Sequence, residues 1–203
     1  MSTSKVLPVA PGDLETLAKH YGTPLQLYDE KTILDAISRL YSAFRSAGFK
    51  CFRNFYAVKA LPNPAILSLV KAAGCGFDCS SRTELQIASQ LGARGDDIMY
   101  TSNFTSEADL RLALQLNAII NIDDVSVLDT LLRVRGKQGC PSLLCFRLNP
   151  GVGKTASDGT QSNVLGGPQS KFGMSSDVIV EAFKRAHAAG ARRFGIHMMV
   201  RDL

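Results

Sequence analysis

The sequence predicts an α/β protein whose parallel sheet is wound as a barrel, and three observations predict it. Apolar β-type runs begin near Phe55, Phe77, Ile98, Ile119, Leu143 and Phe194. The first five recur about every 22 residues, with amphipathic helical segments between them, and strands alternating with helices give a parallel sheet covered by helices. Runs such as Ile119-Ile120 and Leu143-Leu144-Cys145-Phe146 are apolar at successive positions, as in strands covered on both faces. Polar residues then recur at the C-terminal strand ends: Lys59, Asp78, Ser102-Asn103, Asp123, Arg147 to Asn149 and His197. An open dinucleotide-binding sheet carries Gly-x-Gly-x-x-Gly after its first strand, but Leu61-Pro62-Asn63-Pro64 stands there. Barrels of the (β/α)₈ kind place their chemistry at the C-terminal strand ends. The pattern accounts for about six of the eight βα units.

The elements follow in order. Leu14, Leu17, Ala18 and Tyr21 share one helical face, stopped by Gly22. Leu25 to Tyr28 reads as a strand. Asp29 can cap a helix with the apolar face Ile33, Ile37, Leu40, Tyr41 and Phe44, ended by Gly48. Asn63-Pro64 starts the next helix and Gly74 closes it. Ser81-x-x-Glu84 is a capping box and Ser106-x-x-Asp109 resembles one. Ser176 can cap the last helix, which runs to about Gly190. Residues 149–173 form a long loop rich in Gly, Ser, Thr and Asn, and long loops on this face serve as lids or flexible segments.

The 203-residue chain is 45% hydrophobic and 20% charged, with net charge +5. Its lysines and arginines are scattered apart from Arg192-Arg193, so a nucleic-acid surface is not indicated. No apolar stretch approaches the roughly 18 residues of a membrane span, and no secretory segment follows Met1; a cytoplasmic location is the expectation. The five cysteines lack metal-ligand spacing and read as buried free thiols, so no metal site is expected. Gly151-Val152-Gly153-Lys154-Thr155 resembles a phosphate-binding loop, but Leu148 stands where the motif needs glycine and Pro150 has no N–H to give. A solvated loop is the simpler account, and Lys154 as a nucleotide ligand the weaker one.

Lys59 follows Phe55-Tyr56-Ala57-Val58, which reads as a buried strand. A lysine held in such surroundings loses basicity and becomes a nucleophile able to hold an aldehyde cofactor as a Schiff base. The other reading is a strand-end lysine pointing into solvent.

Five segments together resemble the fold-type III pyridoxal-phosphate decarboxylases of diaminopimelate, ornithine and arginine, whose barrels are alanine-racemase-like. They are Gly22 to Asp29, Phe55 to Ala60, Gly76 to Leu85, Arg147-Leu148-Asn149-Pro150-Gly151 and Ser170-Lys171-Phe172-Gly173. The match runs in family order from about residue 10 to residue 199, and the Arg-x-Asn-Pro-Gly segment leans toward the diaminopimelate decarboxylases. The resemblance implies pyridoxal 5'-phosphate as cofactor, serving as an electron sink, with Lys59 as its covalent anchor and Lys59, Asp78, Arg147 and His197 around it. It sets Asp78 and Glu84 near the lysine and Arg147 beside the cofactor ring. Glu84 is equally explained by its capping box, Arg147 by a surface ion pair and His197 by a core histidine. The family pattern Gly-x-His-x-His-x-Gly-Ser stacks its second histidine on the ring, and Met199 occupies that position here; a thioether can contact an aromatic face. His20 and His187 read as surface residues.

The resemblance further implies that residues 1–203 are an incomplete N-terminal cofactor-binding barrel. The last two strands, the glycine-rich phosphate loop and the C-terminal β domain of the family have no counterpart. The expected activity is decarboxylation of an amino acid, in first place meso-diaminopimelate to lysine and CO₂, by a protein that is a homodimer at full length. These 203 residues alone are expected to be inactive. The alternative is a non-catalytic truncated paralogue that binds and regulates an intact decarboxylase.

Overall fold

A computed structural model describes residues 9–151, 167 and 170–199. They belong to two compact units, Met1–Phe52 and Arg53–Leu203.

The first unit holds two helices. Helix α1 (Pro11–Tyr21) has proline at its first position and ends at Gly22, where φ is 82° and the N–H donates to the Ala18 carbonyl. Left-handed backbone of this kind suits glycine. Asp29 caps helix α2 (Glu30–Ser46), its carboxylate accepting from the Lys31 N–H at 3.0 Å. The aromatic side of α2 gathers the residues that follow it: Phe44 stacks on Phe52 with ring centroids 3.7 Å apart and meets Phe49 edge-on at 5.3 Å. The strand expected at Leu25 to Tyr28 does not form. A strand is defined by its ladder partner, and no strand of the described residues pairs with this segment.

The second unit is a parallel sheet in the order β1 (Phe55–Ala57), β2 (Gly76–Cys79), β3 (Ile98–Thr101), β4 (Ile119–Ile122), β5 (Leu143–Arg147), β6 (Arg193–His197). Each strand lies beside its predecessor. That unbroken order is what winding around a barrel produces, whereas a doubly wound sheet reverses at a switch point. The architecture is a partial (β/α)₈ barrel. The connections carry α3 (Pro64–Ala72), α4 (Arg82–Gln90), α5 (Glu107–Gln115), α6 (Val125–Arg135) and α7 (Ser176–Ala188).

Local chemistry sets these helices. Asn63 accepts from the Ala65 N–H at 2.9 Å, ahead of Pro64. Ser106 and Asp109 complete a reciprocal capping box. The cap of α7 is Ser175, so Ser176 is the first helical residue rather than the cap.

The two faces of the sheet differ. Phe77, Cys79, Ile98, Tyr100, Ile120, Ile122, Leu144 and Phe146 have essentially no exposure. They form one core with the inward residues of the helices, among them Leu67, Leu85, Leu110, Leu128 and Ile179. Burying each such leucine contributes about 1.5–3 kcal/mol. Period two sends the alternate residues to the opposite, less buried face. There Asp78 lies opposite Met99, Thr101 opposite Asn121, Asn121 opposite Cys145, Cys145 opposite Gly195, and Arg147 opposite His197. The expectation of apolar residues on both faces therefore holds for the helix side only; the barrel-interior side is polar toward its C-terminal end. All five cysteines are free. Cys75, Cys79 and Cys140 are buried as expected, Cys145 is half-buried, and Cys51 is exposed.

Candidate cofactor site

The sequence places Lys59 in a buried strand; the structure does not. Strand β1 stops at Ala57, and Val58 to Ala60 form a 3₁₀ turn in which Val58 is fully buried and Lys59 exposed. The Leu61 N–H closes that turn on the Val58 carbonyl at 3.2 Å. Pro62 and Pro64 have no N–H with which to continue a ladder. The amine is therefore open to solvent rather than enclosed. What remains is its place, at the C-terminal end of the first strand and close enough to Asp78 for its charge to act there.

Asp78, on β2, is a poorly solvated carboxyl. Burial raises its pKa, the Thr101 hydroxyl and then the Lys59 charge draw it back, and the Glu84 carboxylate pushes it up again. Its Oδ1 is buried without a hydrogen-bond partner. Glu84 is occupied by the start of α4: its Oε2 accepts from the Ser80 N–H at 2.9 Å and its Oε1 from the Ser81 hydroxyl at 3.0 Å. The Ser81 hydroxyl accepts from the Glu84 N–H at 3.3 Å, but the carboxylate returns to the Ser80 N–H and the Ser81 hydroxyl rather than to the Ser81 N–H, so half of the expected capping box forms, and Glu84 acts on Asp78 through its charge.

Arg147, at the end of β5, is not a surface ion pair. It is buried and bonds Asp123 Oδ1 through Nη1 at 3.1 Å, with both side chains below a tenth exposed. Asp123 Oδ2 accepts from the Gly173 N–H at 3.2 Å. Phe172 lies over the guanidinium, 4.5 Å from carbon to ring centroid. The end of the long loop is thereby fixed on the site. Met174 N–H donates to the Arg147 carbonyl at 2.9 Å, and Asn149 N–H to the Met174 carbonyl at 2.8 Å. Gly173 has φ of 75°, and a Cβ there would sit 3.0 Å from the Arg147 oxygen. Most of the 149–173 loop, including Val152 to Thr155 and so Lys154, lies outside the described residues.

His197, at the end of β6, is paired in register with Arg147. Burial lowers its pKa, the Arg147 charge lowers it further and Asp123 opposes them, so the ring is neutral near pH 7. Its Nδ1 is buried without a partner. Met199, two residues on, is exposed. His20 and His187 lie exposed on α1 and α7.

The four residues expected at the site thus lie along one strand-end rim, on β2, β5, β6 and the turn after β1. Three more belong with them. Asp123 was visible only as one polar strand end among several. Asn121 and Thr101 carried a weaker signal, a polar residue at every second place in Ile119-Ile120-Asn121-Ile122-Asp123 and at the end of β3. Asn121 is 2% exposed, donates through Nδ2 to Thr101 Oγ1 at 2.7 Å and leaves its Oδ1 unpartnered.

A wound parallel sheet with a lysine and unpaired polar atoms at its C-terminal rim places a candidate ligand site where barrels of this kind carry their chemistry. Comparison with known proteins gives the class. A family described as "Pyridoxal-dependent decarboxylase, pyridoxal binding domain" matches residues 34–200, and the chain belongs to that family, whose cofactor is pyridoxal phosphate. Protein TabA of Pseudomonas amygdali pv. tabaci is 42% identical over 187 residues, which cover 92% of this chain and 41% of that protein. Diaminopimelate decarboxylase of Thermoplasma acidophilum is 34% identical over 187 residues, covering 92% of this chain and 43% of its own length. The crystal structure of diaminopimelate decarboxylase from Helicobacter pylori complexed with L-lysine superposes with a TM-score of 0.76 at 26% identity, covering 91% of this chain and 46% of that one. The chain spans less than half the length of these relatives.

Proposed function

We propose that residues 1–203 are the N-terminal cofactor-binding portion of a pyridoxal-phosphate-dependent decarboxylase acting on an amino acid, in first place meso-diaminopimelate, giving lysine and CO₂. The observation that carries this is the set of buried polar atoms without partners on one rim: Asp78 Oδ1, Asn121 Oδ1, Arg147 Nη2 and His197 Nδ1. Buried polar groups are almost always satisfied, and those left over in a cleft mark where a ligand completes them. The set fits a polar aldehyde that offers both hydrogen-bond donors and acceptors. Lys59 offers an accessible amine, Arg147 a free N–H, and Asp78 and Asn121 free acceptor oxygens.

When bound, pyridoxal phosphate supplies a conjugated sink for the electron pair released as CO₂ departs. The chain's own residues bind and orient. Lys59 is the attachment point, and its exposure leaves it open to an incoming aldehyde. Asp78, near enough to feel the Lys59 charge, is the carboxyl able to accept a proton at this end of the sheet. Arg147, held by Asp123 and covered by Phe172, keeps one N–H directed at the site. Neutral His197 offers a ring nitrogen as donor or acceptor without adding charge.

The choice of substrate is supported by the relatives named for diaminopimelate and by the neighbour complexed with L-lysine. We extend the same reading to homodimerisation of the whole enzyme. The chain spans under half of its relatives, so turnover by these 203 residues alone is proposed to be negligible, as CO₂ release from meso-diaminopimelate would show.

The test is direct. The protein is mixed with pyridoxal phosphate, reduced with borohydride and digested, and the Lys59 peptide should carry the pyridoxyl mass. Lys59→Ala should lose it while other lysines label no more than before. Labelling spread evenly over surface lysines, with Lys59 unmarked, overturns the assignment.

A further inference from the structure

Lys59, Asp78, Thr101 and Asn121 stand on four successive strands or the turn that follows one of them. Thr101 and Asn121 face each other directly across β3 and β4. Thr101 lies two residues beyond Met99, the partner of Asp78, and so shares its face. The Asn121 amide donates to Thr101 Oγ1 at 2.7 Å. A hydroxyl has one hydrogen and two lone pairs. With Asn121 donating into a lone pair, the Thr101 hydrogen is free for another acceptor, and the carboxylate on the same face of the neighbouring strand is that of Asp78. The direction of the chain is then set: amide to hydroxyl to carboxylate. Asn121 is buried, so its amide has little freedom to turn away.

We propose that Thr101 and Asn121 are positioning residues that hold Asp78 as an acceptor-only carboxylate facing the Lys59 amine. The arrangement rests on the cofactor-site reading above for its purpose, but not for its geometry. Asp78 sits where burial and Glu84 both oppose its negative charge, and Lys59 and Thr101 favour it. The Lys59 charge is lost whenever that amine is neutral. Thr101 is then the remaining group that stabilises the ionised form, and Asn121 keeps its hydrogen pointed the right way.

The experiment is a titration of the Asp78 carboxyl by NMR in protein labelled with ¹³C at the aspartate carboxyls, the Asp78 signal being identified by its loss in Asp78→Asn. Thr101→Val should raise the midpoint by about one pH unit, since the proposed donor to the charged form is removed. Thr101→Ser should leave it at the wild-type position. Asn121→Leu should raise it in the same direction and by less. A midpoint unmoved by Thr101→Val, or moved as far by Thr101→Ser, overturns the proposal. Where Thr101→Val does not fold, Asn121→Leu decides: a raised midpoint supports the pair and an unchanged one overturns it. Borohydride labelling of the wild-type protein runs in parallel. Absence of a Lys59 adduct sinks the cofactor reading alone, because the Asp78 titration needs no cofactor.

Discussion

Asp78 and His197 are both poorly solvated, and their linkage to pH has opposite signs. The His197 pKa lies below its ordinary 6.5, with burial the first cause and the Arg147 charge the second. The unfolded chain therefore binds more protons below that pH, and stability falls as pH drops from about 6.5 toward the folded value. Asp78 lies above its ordinary 3.8, again chiefly through burial. In its window the folded chain binds more protons, so stability falls as pH rises from 3.8 through the raised value. Urea unfolding between pH 4 and pH 8 should show both. His197→Gln should flatten the acid-side loss, and Asp78→Asn should stabilise the cofactor-free protein at pH 7 without doing so near pH 4. A His197→Gln profile parallel to wild type would show that burial of the neutral ring carries no proton linkage.

At the scale of the elements, the close approach of β5 and β6 depends on one small residue. Gly195 lies opposite Cys145, and a Cβ added at Gly195 would fall on Cys145 Sγ and within 3.5 Å of Cys145 Cβ. Gly195→Ala should therefore cost about 1–3 kcal/mol by overpacking, and Cys145→Ala in the same chain should recover most of it, read from urea midpoints. If Cys145→Ala gives no recovery, the constraint lies elsewhere. No sequence pattern announces this pair, because its two members are distant in the chain. The caps at Asp29, Asn63, Ser81 and Ser106 were legible for the converse reason: each is settled within a few residues. Leu25 to Tyr28 has the composition of a strand and lacks a partner strand among the described residues. Lys59 looked buried because Tyr56, Ala57 and Val58 precede it, but the turn that follows Ala57 exposes it. The rim residues were legible as polar strand ends, while the Asp123–Arg147 pair and the Thr101–Asn121 contact required the register of the sheet.

Across the whole molecule, the covering of the sheet is uneven. Leu144 and Phe146 on β5 have no exposure, yet their register partners on β6, Phe194 and Ile196, are 37% and 65% exposed. Helix α7 reaches the near side: Phe183 meets Phe146 at 4.8 Å and Phe194 at 5.1 Å. Beyond Phe194 the described residues supply neither a helix over Ile196 nor a strand on the side of β6 away from β5, and Met198 continues the apolar surface at 52% exposed. An uncovered apolar strand at a sheet edge offers both unpaired backbone groups and hydrophobic area to another chain. The 203-residue chain should therefore associate with itself as its concentration rises, seen as an increasing sedimentation coefficient. Ile196→Lys places a charge on that edge, the device by which exposed strands are kept apart, and should shift the chain toward monomer without changing its far-UV circular dichroism. A chain that sediments as one monomer at every concentration would mean that β6 is covered by its own polypeptide.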